Sequence, residues 1–267
     1  MLLYSDSFYY HCTVHQSEPE LPYLLMLHGF MGSEKVFEHF IRELNSFCNP
    51  ITIDLAGHGE TESPADSTFY SAERQVQQLH SIIRRLQVDN LYLYGYSMGG
   101  RLAFQMIASH PDLFSGVMIE SSHCGIASEK ARINRQKLDE KRAQRIEQNY
   151  DDFIENWMDL PLFKHTPNPM KSVYKKIMEA QNPKTLSASL RGFGAGIMPP
   201  VCDKLNETDL PITLIAGEHD EKYVERMSEI HQQTDRSRLK IIKNAGHRVH
   251  ADQPEELTLI LKNSLKV

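Results

Sequence analysis

Leu91-Tyr92-Leu93-Tyr94-Gly95-Tyr96-Ser97-Met98-Gly99-Gly100-Arg101 is the stretch that decides how this chain folds. Apolar and aromatic residues of strand character run into Gly-x-Ser-x-Gly, and a stretch of helical period, Arg101 to Ser109, follows until His110-Pro111 stops it. A strand, a sharp turn and a helix around one serine make up the nucleophile elbow. Its glycines permit a turn that side chains would obstruct, and the serine oxygen is lifted clear of the backbone at a helix N-terminus. The plainer alternative, a glycine-rich turn with a surface serine, does not account for this setting.

Working outward, short apolar runs bounded by turn residues alternate with helical stretches, the pattern of parallel strands joined by crossover helices. The predicted strands are Tyr23 to Leu27, Pro50 to Asp54, Asn90 to Tyr94, Gly116 to Glu120, Ile212 to Gly217 and Leu239 to Lys243, with Phe8 to Val14 as an antiparallel edge strand. Helices are expected over Tyr70 to Leu86, Arg101 to Ser109 and Pro254 to Leu265. From Ser122 to Leu210 the alternation stops. Charged helical patterns run from Glu129 to Gln148, Asp151 to Met158, Pro169 to Glu179 and Leu186 to Arg191, with Pro161, Pro167 and Pro183 as breaks. The expectation is an α/β core over residues 1–121 and 211–267, with residues 122–210 as a helical cap over the C-terminal ends of the strands, where open parallel sheets bind ligands.

A serine hydroxyl needs a base, and the base needs an orienting acid. Asp220 follows the strand Ile212 to Gly217 in Gly217-Glu218-His219-Asp220, and His247 follows the last strand in Asn244-Ala245-Gly246-His247. Ser97, Asp220 and His247 are the expected triad; Glu218 competes for the acid role and His250 is a near decoy. After the first parallel strand, Leu27-His28-Gly29-Phe30-Met31-Gly32-Ser33 can turn so that the Phe30 amide and the Met98 amide point into one small space, a pair of donors for a developing oxyanion. His28 is read as a brace for that loop, and Asp54-Leu55-Ala56-Gly57-His58-Gly59 as scaffold.

Composition narrows the classes. A chain of 267 residues, 40% hydrophobic and 24% charged, is neither collagenous nor disordered and is long enough to bury a large core. The net charge of −6 argues against a nucleic acid or an anionic membrane as partner. Cys12, Cys48, Cys124 and Cys202 form no C-x-x-C pair, so they are read as buried or idle thiols in a reducing compartment, with neither a zinc site nor a disulfide framework. With no signal-like N-terminus and no run of about 18 apolar residues, the expected location is the cytoplasm.

On these motifs, in this order, the chain resembles the α/β-hydrolase superfamily over nearly its whole length. Gly95-Tyr96-Ser97-Met98-Gly99-Gly100-Arg101 is similar to the family of 2-succinyl-6-hydroxy-2,4-cyclohexadiene-1-carboxylate synthases. So is the cap sequence, with Arg132 and Arg135 before Asp139, then Asn156-Trp157-Met158-Asp159-Leu160-Pro161-Leu162-Phe163, Gln181-Asn182-Pro183 and Leu190-Arg191-Gly192-Phe193-Gly194-Ala195-Gly196. The resemblance implies a carbon–oxygen lyase of menaquinone biosynthesis. It would eliminate pyruvate from 2-succinyl-5-enolpyruvyl-6-hydroxy-3-cyclohexene-1-carboxylate without metal or other cofactor, Ser97 and His247 removing a ring proton. It also implies a tricarboxylate substrate held by cations: Arg101, and Arg135 or Arg132, which share a helix face. Tyr96, Trp157 and Phe163 match pocket-lining positions. A third arginine is expected before Gln181-Asn182-Pro183, where this chain has Met178; Lys176 or Arg191 would substitute, or affinity would fall, or the substrate would differ.

The rivals are a carboxylesterase or C–C bond hydrolase with the same triad, and a silent receptor or scaffold, against which the intact triad speaks. A monomer or weak homo-oligomer is expected. The charge, taken by segment, favours an anionic substrate: residues 122–200 hold 13 Lys or Arg against 9 Asp or Glu, and the remainder 16 against 26.

Overall fold

The apolar runs assemble into one sheet in a computed structural model that describes residues 1–265. Its strands are β1 (Leu2–Ser5), β2 (Phe8–Val14), β3 (Tyr23–Leu27), β4 (Asn49–Ile53), β5 (Leu91–Tyr96), β6 (Gly116–Glu120), β7 (Ile212–Gly217) and β8 (Ser237–Ile242), in the order β1-β2-β4-β3-β5-β6-β7-β8. From β4 to β8 every pairing is parallel; β1 and β2 are antiparallel. The predicted edge strand is therefore one place in from the edge, because β1 pairs outside it, Leu3 opposite Tyr10.

Every residue of β4, β5, β6 and β7 is buried, which is why these strands read as nearly continuous apolar runs. Among the described residues, six helices belong to the core and its C-terminal end: α1 (Glu38–Leu44), α2 (Ala72–Leu86), α3 (Met98–Ser109), then, after the insertion, α8 (Glu221–Gln233), α9 (Val249–Asp252) and α10 (Pro254–Ser264); the insertion between β6 and β7 supplies α4 (Glu129–Gln148), α5 (Tyr150–Met158), α6 (Asn168–Glu179) and α7 (Pro183–Phe193). One apolar cluster joins Leu79, Ile82, Leu102 and Met227 to one face of the sheet, and a second joins Phe40, Leu44, Leu257 and Leu261 to the other.

Local chemistry sets the ends. Ser71 and Ser128 accept from the Arg74 and Ala131 amides at the starts of α2 and α4. Pro183, read from the sequence as a break, instead opens α7, with Asn182 capping the Lys184 amide. Hydrogen bonds anchor the insertion to the loops at the sheet's C-terminal edge: the Gly59 amide donates to Gln181 Oε1 at 2.8 Å, Gln181 Nε2 donates to the Gly32 carbonyl at 3.1 Å, and Thr185 Oγ1 to the Gly57 carbonyl at 3.0 Å.

The thiol reading needs correction. Cys124 and Cys202 are disulfide-bonded across 78 residues of sequence, while Cys12 and Cys48 are free and buried. The returning chain lies on the segment after β6, the Val201 amide donating to the Cys124 carbonyl at 2.8 Å, and sequence spacing carries no trace of that approach. No helix of the described residues is long and apolar enough to cross a membrane.

Candidate active site

β5 ends at Tyr96 and α3 begins at Met98, leaving Ser97 alone at the corner with φ 52° and ψ −105°. A non-glycine residue held at positive φ is strained, and the crowding around it explains why the turn keeps its glycines. A Cβ on Gly99 would lie 2.2 Å from the Leu27 carbonyl oxygen, and one on Gly95 would lie 2.6 Å from the Gly99 carbonyl oxygen. The Gly99 amide donates to the His28 carbonyl at 3.0 Å, which ties the elbow to the loop after β3.

Ser97 Oγ is 3.0 Å from His247 Nε2, and His247 Nδ1 is 2.6 Å from Asp220 Oδ2. Both His247 and Asp220 are buried, so the pair is shielded from water. With Nδ1–H donating to the carboxylate, Nε2 is free to accept the serine proton. Glu218 is exposed and its Oε2 accepts from the Asn244 amide at 3.1 Å, so the histidine meets Asp220 and not its competitor. His250 sits behind the site, its Nδ1 2.8 Å from Glu120 Oε1.

Met98 is the first residue of α3, so its N–H has no acceptor within the helix. Among the described residues the Phe30 N–H also has no protein acceptor. Phe30, Ser97 and Met98 line one cavity of about 520 Å³. His28 braces this loop from below: its Nδ1 is 2.8 Å from the Gly29 carbonyl and its Nε2 accepts from the Leu55 amide at 3.0 Å. Complete burial lowers its pKa to about 4. Asp54 holds the next loop, accepting from the Glu34 and Glu60 amides at 2.7 Å each.

The rest of the cavity wall is cationic. Arg101 is 7% exposed, donates to the Phe193 carbonyl at 2.8 Å and lies 4.9 Å from the centre of the Phe193 ring. No carboxylate lies within 4 Å of it among the described residues, and burial, followed by the charge of Arg135, lowers its pKa to about 10. Arg135 lines the wall, its Nε 2.8 Å from Asp139 Oδ1. Tyr96, Trp157 and Phe163 line it too.

Three expected cations are elsewhere. Arg132, one turn from Arg135, is outside the cavity wall. Lys176 is exposed on α6, and Arg191 is held by Glu140 at 2.9 Å and Glu147 at 2.5 Å, so neither stands in for an arginine at Met178, which is itself buried in the apolar cluster. In their stead the wall contains Arg142, Lys222 and Arg248, which sequence reasoning passed over. A signal existed for Arg142, seven residues after Arg135 on the same helix face. His123 and Tyr223 complete this side; burial and then Arg101 and Arg135 push the His123 imidazole well below its ordinary pKa, so it is neutral, with Nδ1 accepting from the Gly125 amide at 3.1 Å. Among the described residues no cluster of three or more His, Cys, Asp or Glu side chains is placed to hold a metal.

Residues 22–157 match the family model described as alpha/beta hydrolase fold. A Bacillus subtilis (strain 168) protein provisionally named 2-succinyl-6-hydroxy-2,4-cyclohexadiene-1-carboxylate synthase is 35% identical over 235 residues, 86% of this chain and 85% of that one. The synthase of the same name from Salmonella paratyphi B is 25% identical over 89% of this chain and 91% of its own. Among solved structures, MenH from S. aureus superposes with a TM-score of 0.91 at 29% identity, covering 96% of this chain and 98% of that one. A strained serine at a strand-to-helix corner, a histidine and an aspartate in line with it, and these full-length likenesses agree: the chain belongs to the α/β hydrolase fold family and, within it, to the family of 2-succinyl-6-hydroxy-2,4-cyclohexadiene-1-carboxylate synthases.

Proposed function

We propose that the protein is a lyase that eliminates pyruvate from 2-succinyl-5-enolpyruvyl-6-hydroxy-3-cyclohexene-1-carboxylate in menaquinone biosynthesis, giving 2-succinyl-6-hydroxy-2,4-cyclohexadiene-1-carboxylate. The observation that carries this reading is the meeting, in one cavity, of the Ser97–His247–Asp220 chain with the cations Arg101, Arg135, Arg142 and Arg248. A site for neutral esters has no use for so much positive charge, whereas a substrate with three carboxylates requires it.

In this reading the base, His247 acting with Ser97, takes the proton from the ring carbon that bears the succinyl group. The electron pair delocalises onto the succinyl carbonyl, whose oxygen the Phe30 and Met98 amides receive. It then forms a new ring double bond, the existing double bond shifts by one position, and the bond from the ring to the enolpyruvyl oxygen breaks. The departing enolate takes up a proton and becomes pyruvate. Asp220 holds the imidazole in the tautomer that accepts at Nε2 and stabilises the imidazolium. Residues 122–210 act as a cap on the core formed by 1–121 and 211–267, supplying Arg135, Arg142, Trp157 and Phe163 to its roof. One chain supplies every residue of this site, so a monomer or weak homo-oligomer suffices.

The test sets two activities side by side. The purified protein is expected to release pyruvate from the enolpyruvyl substrate and to hydrolyse p-nitrophenyl esters negligibly. Robust ester turnover with an acyl-enzyme burst and no pyruvate would overturn the lyase in favour of an esterase.

A further inference from the structure

We propose that Arg248 binds a substrate carboxylate, supplying from the loop after His247 the cation that α6 does not provide; this rests on the lyase reading above. Arg248 is 2% exposed and lines the cavity, yet among the described residues its Nε and Nη1 have no hydrogen-bond partner. No carboxylate lies within 4 Å of it among the described residues, unlike Arg135, Arg142 and Arg191, each of which holds an acid. A guanidinium buried without an anion is costly, and an anion arriving in the cavity removes that cost.

The surroundings fix its direction. The guanidinium carbon lies 3.7 Å from the ring centres of both Phe163 and Tyr174, so aromatic faces cover it above and below. Its N–H donors lie in the guanidinium plane between the rings, and Nε and Nη1 are buried there without a partner among the described residues; a planar fork of this kind can grip a carboxylate with two parallel bonds. The clamp is itself anchored: the Tyr174 hydroxyl bonds to His250 Nε2, His250 Nδ1 to Glu120 Oε1 at 2.8 Å, and the Tyr94 hydroxyl to the other Glu120 oxygen. The decoy histidine of the sequence thereby has a structural task. Arg248 also acts on Tyr96: burial raises that phenol's pKa, and the Arg248 charge is the largest influence opposing it. An anion on Arg248 therefore sits beside the residue preceding Ser97.

The experiment compares wild type, Arg248→Met and Arg248→Lys by steady-state pyruvate release and by titration with 2-succinylbenzoate, an unreactive aromatic dianion carrying a ring carboxylate and a succinyl arm. The single tryptophan, Trp157, lies in the cavity wall and reports binding by fluorescence. Arg248→Met is expected to raise KM and the dianion Kd together by about 10- to 100-fold, the scale of one charge-assisted contact, with kcat moving far less. Arg248→Lys keeps the charge without the planar fork and is expected to lose about 3- to 10-fold, which decides the matter should the methionine variant not fold. Wild-type KM and Kd in a folded variant, or a fall in kcat alone, would overturn the proposal. A wild type that releases no pyruvate but binds the dianion in an Arg248-dependent way would refute the lyase reading and support the carboxylate subsite.

Discussion

Replacing Asp220 by asparagine keeps the shape of the side chain and removes its charge, which isolates what the carboxylate does for His247. The two groups are in contact at 2.6 Å and both are buried, so water screens their attraction weakly. With charge centres about 4 Å apart and an effective dielectric of about 20, an imidazolium formed during proton abstraction gains about 4 kcal/mol from the carboxylate. The proton transfer should therefore slow by roughly three decades in kcat. An amide that turns its NH2 toward Nδ1 would in addition favour the wrong tautomer and deepen the loss. The assay is pyruvate release followed by coupled NADH oxidation, with Glu218→Gln as the control because Glu218 is exposed and its carboxylate accepts from the Asn244 amide, away from His247. Asp220→Asn should lose about a thousandfold and Glu218→Gln should stay within about twofold. A loss under tenfold in Asp220→Asn, or a large one in Glu218→Gln, refutes the assignment of the orienting acid.

Other perturbations probe separate parts of the site. Arg101→Met removes a buried cation that, among the described residues, has no acid within 4 Å, and kcat/KM for pyruvate release should fall by about one to two decades; unchanged kinetics would make Arg101 a packing residue. Gly99→Ala drives a Cβ to 2.2 Å from the Leu27 carbonyl, so urea unfolding should show a loss of at least about 1–3 kcal/mol, together with reduced turnover as the Phe30 loop and Met98 move apart. His28 and His58, held neutral by burial with pKa about 4 and about 3, make stability depend on acid. At neutral pH both states leave these imidazoles uncharged. As pH falls below about 6.5 only the unfolded chain gains their protons, and stability drops until the folded pKa values are reached. Each contributes a loss of about 2 kcal/mol between pH 6.5 and 5; equal urea midpoints at pH 7 and pH 5 would contradict this.

The parts of the molecule that could be read from sequence are those fixed by local pattern. Tyr23–Leu27, Gly116–Glu120 and Ile212–Gly217 stand at the predicted bounds because buried parallel strands are short apolar runs cut off by turn residues. Two core helices gave too little signal. Glu38–Leu44 is seven residues long behind a 3-10 turn, and Glu221–Gln233 buries only Met227 and Ile230 in a charged stretch. The serine, aspartate and histidine each follow the end of a strand, β5, β7 and β8, so their order along the chain already marked them. The cations were harder, because a charge is defined by its partner. Arg191 meets Glu140 and Glu147 from 51 and 44 residues away, which removes it from the cavity, while Arg248 reaches the cavity between two aromatic rings brought in by the insertion. The Cys124–Cys202 pairing was hidden for the same reason.

The most direct measurement is release of pyruvate from 2-succinyl-5-enolpyruvyl-6-hydroxy-3-cyclohexene-1-carboxylate by the wild-type protein and by Ser97→Ala, with the ring product followed by its conjugated-diene absorbance. The account predicts that pyruvate and diene appear in equal amounts with the wild type and that the serine variant, which still binds the substrate, is slower by about three decades or more. Equal rates in the two proteins, or pyruvate without the diene, would contradict it.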